Sequence, residues 1–302
     1  IFGTENKKSG EIVDYCVFKC YFSVENKEAL DHDLSSSIRG IWGRNLKQIF
    51  CMQRNIECQE CTFNHCPYFS IFEKKYGEND EYRPYIIYHN QKNKTELEVH
   101  FILLGFLTSH YDKVLLPILQ IAEKPLFFKG EKLHLKLIRI LDQEDHLIVN
   151  NDFRDLNRIH ISQTETKQHD EFQKVKLIFQ TPLRMKYQNQ LMKQFNFEAF
   201  VKSLIRRLNF INEYFSDRES DTIIFNPDFL QCQVSSNLIW REKYRKSFRQ
   251  NQKMSIGGLI GNVIIEKPHP ELVLILKTGE LVQAGKQTAF GNGKYFLECE
   301  QV

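Results

Sequence analysis

Apolar positions along this chain follow two periods, and the two periods alternate in a fixed order. Val13 to Phe22 (VDYCVFKCYF) is rich in β-branched and aromatic residues and predicts a half-buried strand. From Ser35 to Phe50 the period changes. Ile38, Ile41, Trp42, Leu46, Ile49 and Phe50 recur three and four residues apart, which places one apolar stripe on a helix. Its other side carries Arg39, Arg44, Lys47 and Gln48, and Asp33 with Ser35 to Ser37 offers N-cap chemistry. Arg83 to Tyr88, Glu96 to Leu107 and Lys132 to Leu141 then read as strands, with a short helix over Val114 to Ala122.

Residues about 142 to 172 are polar and carry no long apolar period, which places an interdomain connection there. The second half repeats the first. Val175 to Gln180 reads as a strand, and Phe197, Phe200, Val201, Leu204, Leu208 and Ile211 mark a helix. Gln231 to Trp240 and Ile256 to Ile265 read as strands, Glu271 to Leu276 as a short helix and Lys294 to Glu300 as a closing strand. The order β-α-β-β-α-β thus occurs twice. It predicts an α+β protein of two tandem ferredoxin-like (RRM-like) domains, residues 1–148 and 149–302, with a Cys-bearing insertion at about 51–75 of the first and a glycine-rich loop in the second. That fold hosts many functions, so the chemistry must come from particular residues.

Composition narrows the class. With 302 residues, 42% of them apolar, the chain can fill two cores and is no disordered scaffold. No apolar run approaches the ~18 residues of a spanning helix, and the first residues lack signal-peptide regions, so a soluble cytoplasmic protein without a membrane partner is expected. Ile1 is not an initiator methionine, and the reading allows for a longer parent chain. A net charge of +3 is only mildly basic, but its distribution is uneven. WREKYRKSFRQNQK (Trp240 to Lys253) holds Arg241, Lys243, Arg245, Lys246, Arg249 and Lys253 against one acid, Glu242. A solvated face or a nucleic-acid contact would both account for that strip.

Eight cysteines without an export signal argue against a disulfide framework. Four cluster as C-x6-C-x2-C-x4-C at Cys51, Cys58, Cys61 and Cys66. They suit either a structural zinc, with His65 able to replace one ligand, or four small buried or free thiols. A closed four-ligand site would be scaffold and not catalyst. Near the C-terminus, Gly285, Gly291 and Gly293 space a loop in which Lys286, Gln287, Thr288 and Lys294 offer charge and hydrogen-bonding groups for a phosphate chain.

Taken as an ordered set, KYRKSFRQ (Lys243 to Gln250), GGLIG (Gly257 to Gly261) and GKQTAFGNGKY (Gly285 to Tyr295) resemble the C-terminal domain of the CRISPR-associated Cas-six family of the RAMP superfamily. FQTPLRMK (Phe179 to Lys186) is similar to the strand end that opens that domain. SSSIRGIWGRNLKQ (Ser35 to Gln48), CTFNHCPYFSIFE (Cys61 to Glu73) and RPYII (Arg83 to Ile87) resemble the family's first helix, a cysteine-bearing insertion and the following strand. The resemblance implies an endoribonuclease that binds CRISPR precursor RNA repeats and cuts them without a metal, the 2′-hydroxyl attacking the adjacent phosphorus to leave a 2′,3′-cyclic phosphate. It also implies, as the alternative, a non-catalytic RNA-binding subunit working with other CRISPR-associated proteins.

That chemistry needs a base, an acid and cations for the phosphate. By the resemblance these sit on the first strand–helix loop and first helix. His32 is then the candidate base or acid and Lys47 the phosphate stabiliser. Arg39, Arg44, Arg184, Lys243, Arg245, Arg249, Gly285, Lys286, Gln287, Thr288, Gly291, Gly293 and Lys294 are the candidate RNA contacts. No cofactor is implied for catalysis. The family's helix histidine has no counterpart between Ser35 and Phe50. His65, His89, His100 and His110 remain alternatives, although their placement on strands or in the insertion favours a structural part.

Overall fold

The computed structural model describes residues 13–25, 34–63, 65–77, 82–91, 93, 95–123, 126–128, 131–150, 155, 162–163, 171–216, 222–247 and 252–301. Within them both halves take up the expected order. The first contains β1 (Asp14–Val24), α1 (Ser35–Phe50), β2 (Tyr85–Gln91), β3 (Glu96–Leu104), α2 (Tyr111–Leu119), β4 (Leu135–Leu141), β5 (Leu147–Asn150) and β6 (Ser162–Gln163). The second contains β7 (Phe172–Leu183), α3 (Phe197–Phe215), β8 (Gln233–Arg241), β9 (Gly258–Glu266), α4 (Pro270–Val282) and β10 (Tyr295–Gln301). The strand orders are β2-β3-β1-β4-β5 and β8-β9-β7-β10, so each sheet has its domain's first strand at the centre and its second at an edge. These are two ferredoxin-like sheets.

Alternation along β1 explains how each sheet is used. Cys16, Phe18, Cys20 and Phe22 point to one side, where they pack with Val99, Phe101 and Leu103 of β3 under Ile38, Trp42 and Leu46 of α1. Val17 points to the other side. With Ile86, Ile102 and Leu104 it belongs to a core shared with Phe200, Leu204 and Leu208 of α3. Ala289 of the second half lies in turn in the first half's helix-side core. The contact is close enough to involve backbone: a Cβ on Gly105, whose φ is +57°, would fall 1.8 Å from Phe215 O at the end of α3.

Three local expectations change. The polar stretch 142–172 is more than a connection, because β5 pairs with β4 and β6 pairs with Asp14 and Tyr15 of β1. Short strands of four and two residues leave little apolar period to read. The basic strip folds into a hairpin, Tyr244–Ser247 against Gln252–Ser255. The start of α1 is capped differently: Leu34 stands at the N-cap and makes no side-chain capping bond. Ser35 is engaged elsewhere, as described below. In the insertion, Phe69–Glu73 form one π-helical turn that brings Phe72 to within 6.0 Å of the Trp42 ring centroid.

Candidate active site

Helix α1 lies along the edge strand β2, and two hydrogen bonds one helical turn apart join them. Ser35 Oγ is 2.8 Å from His89 Nδ1. Arg39 Nε donates to Tyr85 Oη at 3.0 Å. Ser35 and Arg39 are spaced i, i+4 on the helix, and Tyr85, Ile87 and His89 alternate onto the helix side of the strand, so the periods of the two elements fit. The Arg39 guanidinium carbon also stands 4.2 Å from the Phe72 ring centroid and 4.6 Å from that of Phe290. Phe290 belongs to the glycine-rich loop of the other domain.

That loop is templated by the end of β7. Thr181 Oγ donates to Gly291 O at 2.7 Å and accepts from Lys294 N at 2.8 Å. Pro182 O accepts from Gly293 N at 3.0 Å, and Arg184 O accepts from Lys286 N at 2.8 Å. The loop then presses on β2: with φ at +76°, Gly291 leaves room such that an added Cβ would fall 2.6 Å from Tyr88 Cβ and 2.9 Å from Ile87 O. Three elements therefore meet at one place, the first half of α1, the edge strand β2 and the glycine-rich loop.

Burial sorts the loop's polar groups. Thr288 is 1% exposed, and Gly285, Gly291 and Gly293 are buried, so their part in the fold is close packing against β7 and β2. Lys286 and Gln287 are half-buried and stand nearest to solvent. Lys294 is 6% exposed, with its ammonium 3.8 Å from the Tyr88 ring centroid and 4.8 Å from that of Phe296. Burial lowers its pKa to about 8, against the opposing pull of Glu98 and Glu280. Beside it, His100 sits between Tyr88 Oη, 2.9 Å from Nδ1, and Glu98, 3.1 Å from Nε2. Burial pushes that imidazole below its usual value, although Glu98 opposes the shift.

Other expected residues fall into place around this junction or away from it. Arg184 Nη1 donates to Gly257 O at 2.8 Å. Lys243 Nζ reaches Asn292 Oδ1 at 3.4 Å and Asn292 Nδ2 donates to Ile256 O at 2.9 Å, which ties the base of the basic hairpin to the glycine-rich loop. Arg245 pairs by its backbone with Met254 inside that hairpin. Arg44 is exposed on the solvent side of α1. His32 and Arg249 lie outside the described residues.

Lys47 and the first turn of α1 are not brought together. Twelve residues at ~1.5 Å each put Lys47 roughly 18 Å from Ser35 along the axis. Its ammonium stands over Tyr68 at 5.6 Å, on the insertion side. The helix cation at the junction is Arg39.

The four clustered cysteines are free thiols, and Cys61 Sγ donates to Gln53 Oε1 at 3.1 Å. Among the described residues, no group of three or more His, Cys, Asp and Glu is arranged to hold a metal ion. Nor is any helix among them long and apolar enough to cross a membrane. Sequence reasoning kept His89 only as an alternative, because its partner Ser35 is 54 positions away.

Fold and site together define a double ferredoxin-like protein whose second domain closes a glycine-rich loop onto the first helix and edge strand of the first. A family model described as CRISPR-associated endoribonuclease Cas6 matches residues 177–295, and one described as an N-terminal domain matches residues 13–164. Residues 177–295 thus match the Cas6 family model. Among solved structures, it resembles a Thermus thermophilus Cas6 at 12% identity, with 96% of this chain and 100% of that one covered and a TM-score of 0.54. A Cas6 product complex is 15% identical, with 95% and 99% covered and a TM-score of 0.53. A partial Cas6-RT-Cas1–Cas2 complex is 12% identical, with 96% of this chain but 47% of that one covered and a TM-score of 0.55. At these identities the likeness is one of fold. No curated protein sequence matches.

Proposed function

We propose that this protein binds CRISPR precursor RNA at its repeats and cleaves it by attack of the RNA's own 2′-hydroxyl, leaving a 2′,3′-cyclic phosphate and a 5′-hydroxyl without help from a metal ion. The observation that carries this reading is the convergence of α1, β2 and the glycine-rich loop, which sets His89, Ser35 and Arg39 at the domain junction of a chain that matches the Cas6 family model over residues 177–295. Cyclising cleavage requires only proton transfer and charge stabilisation around one phosphate, and side chains of these types supply both. The basic hairpin tied to the same loop through Lys243 and Asn292 adds cations along a path for the RNA backbone.

The reading is supported by the Cas6 structure determined as a product complex, and the Cas6-RT-Cas1–Cas2 assembly supports other CRISPR-associated proteins as further partners. Its test is incubation of the protein with labelled repeat RNA in EDTA, followed by analysis of the fragment ends. A single cut with a cyclic phosphate is expected. Tight binding that leaves the RNA intact would refute the nuclease reading, and His32 is the first expected residue to replace once cutting is seen.

A further inference from the structure

Independently of how the protein treats RNA, we propose that Arg207 and Gln283 form a buried binding site for a small oxyanion, of the class of inorganic phosphate or sulfate, at the root of the glycine-rich loop. Arg207 belongs to α3 and is 0% exposed, as is Gln283, the residue that joins α4 to the loop. Of the guanidinium's N–H donors the Nε one is used, donating to Val282 O at 2.7 Å. Nη1 and Nη2 are both buried, and neither finds an acceptor among the described residues. The amide of Gln283, one peptide bond beyond that carbonyl, is equally without a partner at Nε2 and at Oε1.

Charge decides which class of group answers these donors. Buried polar groups are almost always hydrogen-bonded, and a buried cation needs a counter-charge as well. Arg207 makes no ion pair among the described residues. What faces it is the carbonyl at the end of α4 and the ring of Tyr82, whose centroid is 4.8 Å from Cζ. A helix end carries only a fractional negative charge, and an aromatic face offers a quadrupole and no net charge. Burial lowers the guanidinium's pKa to about 10, against the pull of Tyr82, so Arg207 keeps its charge at neutral pH.

A neutral guest would satisfy the N–H groups and leave that charge unanswered. An oxyanion does both, because two of its oxygens match the parallel N–H bonds of Nη1 and Nη2. Gln283 Nε2 is then the further donor. Tyr82 precedes β2 and meets Phe210 of α3 edge to face, so the site draws on both halves of the chain. A bound anion would fasten the root of the loop to α3 at that joint.

The test is thermal unfolding of the whole protein in phosphate-free buffer titrated with inorganic phosphate, with sodium chloride holding the ionic strength constant. The wild-type melting temperature should rise saturably, by roughly 3–6 °C at ten times the apparent Kd. Equilibrium dialysis with labelled phosphate should find one site per chain. Arg207→Met should lose both the saturable rise and the bound phosphate. Gln283→Met keeps the guanidinium and should move the phosphate midpoint up by about 10-fold or more, which keeps the proposal testable if Arg207→Met does not fold. An equal rise in wild type and Arg207→Met marks a general salt effect, or phosphate held along the RNA path, and overturns the assignment. No response in the wild type overturns it too, and leaves Arg207 held by α4 and Tyr82 alone. An unmoved midpoint in Gln283→Met removes that residue from the site.

Discussion

Replacing Gly291 with alanine tests whether the glycine-rich loop is built for contact with the edge strand β2. The backbone there sits at φ +76°, and the new methyl would stand 2.6 Å from Tyr88 Cβ and 2.9 Å from Ile87 O. A left-handed φ costs an ordinary residue roughly 1–2 kcal/mol. Relieving the contact must also lift the loop away from β2 and loosen Ala289 and Phe290 in their seats, bringing the expected loss to about 2–4 kcal/mol. For a chain of this size that lowers the melting temperature by roughly 5–12 °C, read by circular dichroism. Gly291→Asn separates the two causes. Asparagine tolerates the left-handed region but still carries a Cβ, so it should regain at most the roughly 1–2 kcal/mol of backbone strain and keep the cost of the contact. Gly40→Ala is the control, because Gly40 is inside α1 and its nearest neighbour to a new Cβ is Arg44 Nη1 at 3.9 Å. It should gain about 0.5–1 kcal/mol. Wild-type melting of Gly291→Ala, or full recovery in Gly291→Asn, would refute the contact argument.

Lys294→Met should remove a pH dependence. In the folded protein the amine releases its proton near pH 8, whereas the unfolded chain holds it to the ordinary lysine value. Between those pH values the unfolded state binds more protons, so wild-type stability should rise with pH relative to Lys294→Met, and parallel curves over pH 8 to 10 would refute the burial of this amine. Arg39→Lys keeps the charge but loses the planar fork between Phe72 and Phe290 and the bond to Tyr85; a loss of about 1–2 kcal/mol in urea unfolding is expected, and none would mean that the stacking is idle. Thiol labelling of the native protein should reach Cys299 first and Cys61 without a chelator, and spare Cys16 and Cys20, where burial pushes the Cys16 thiol up to about 12 and Cys20 higher still. Protection of Cys51, Cys58, Cys61 and Cys66 that is lifted by a chelator, with one zinc by elemental analysis, would instead close those four thiols on a metal.

The elements were legible because their periods are strong. Six apolar residues at helical spacing marked α1, and the alternation in β1 and β3 was equally plain. The residues that build the junction were not legible, and the reason differs for each. Ser35 was read as a cap because caps are local, whereas its partner His89 is brought to it by the pairing of β2 with β3. Lys294 was read as an RNA contact, and no sequence pattern says that a lysine just before the last strand will sit over Tyr88 of the other domain. Lys47 shares a helix face with Arg39 on paper, yet axial rise separates them. The glycines stood out by their spacing, but their use as contact points against β7 and β2 needs the docked domains.

The interleaved cores bear on how such a chain can change over time. Val17, Ile86, Ile102 and Leu104 of the first half are covered by the second, and Ala289 of the second is covered by the first. Neither half is a portable module. Grafting one onto a foreign mate would uncover these side chains unless the mate carried matching ones, and the loop that meets Ile87 and Tyr88 would lose its seat. Two copies of one architectural plan have in this way become a single unit of inheritance, in which substitutions on one side of the joint set the terms for those on the other.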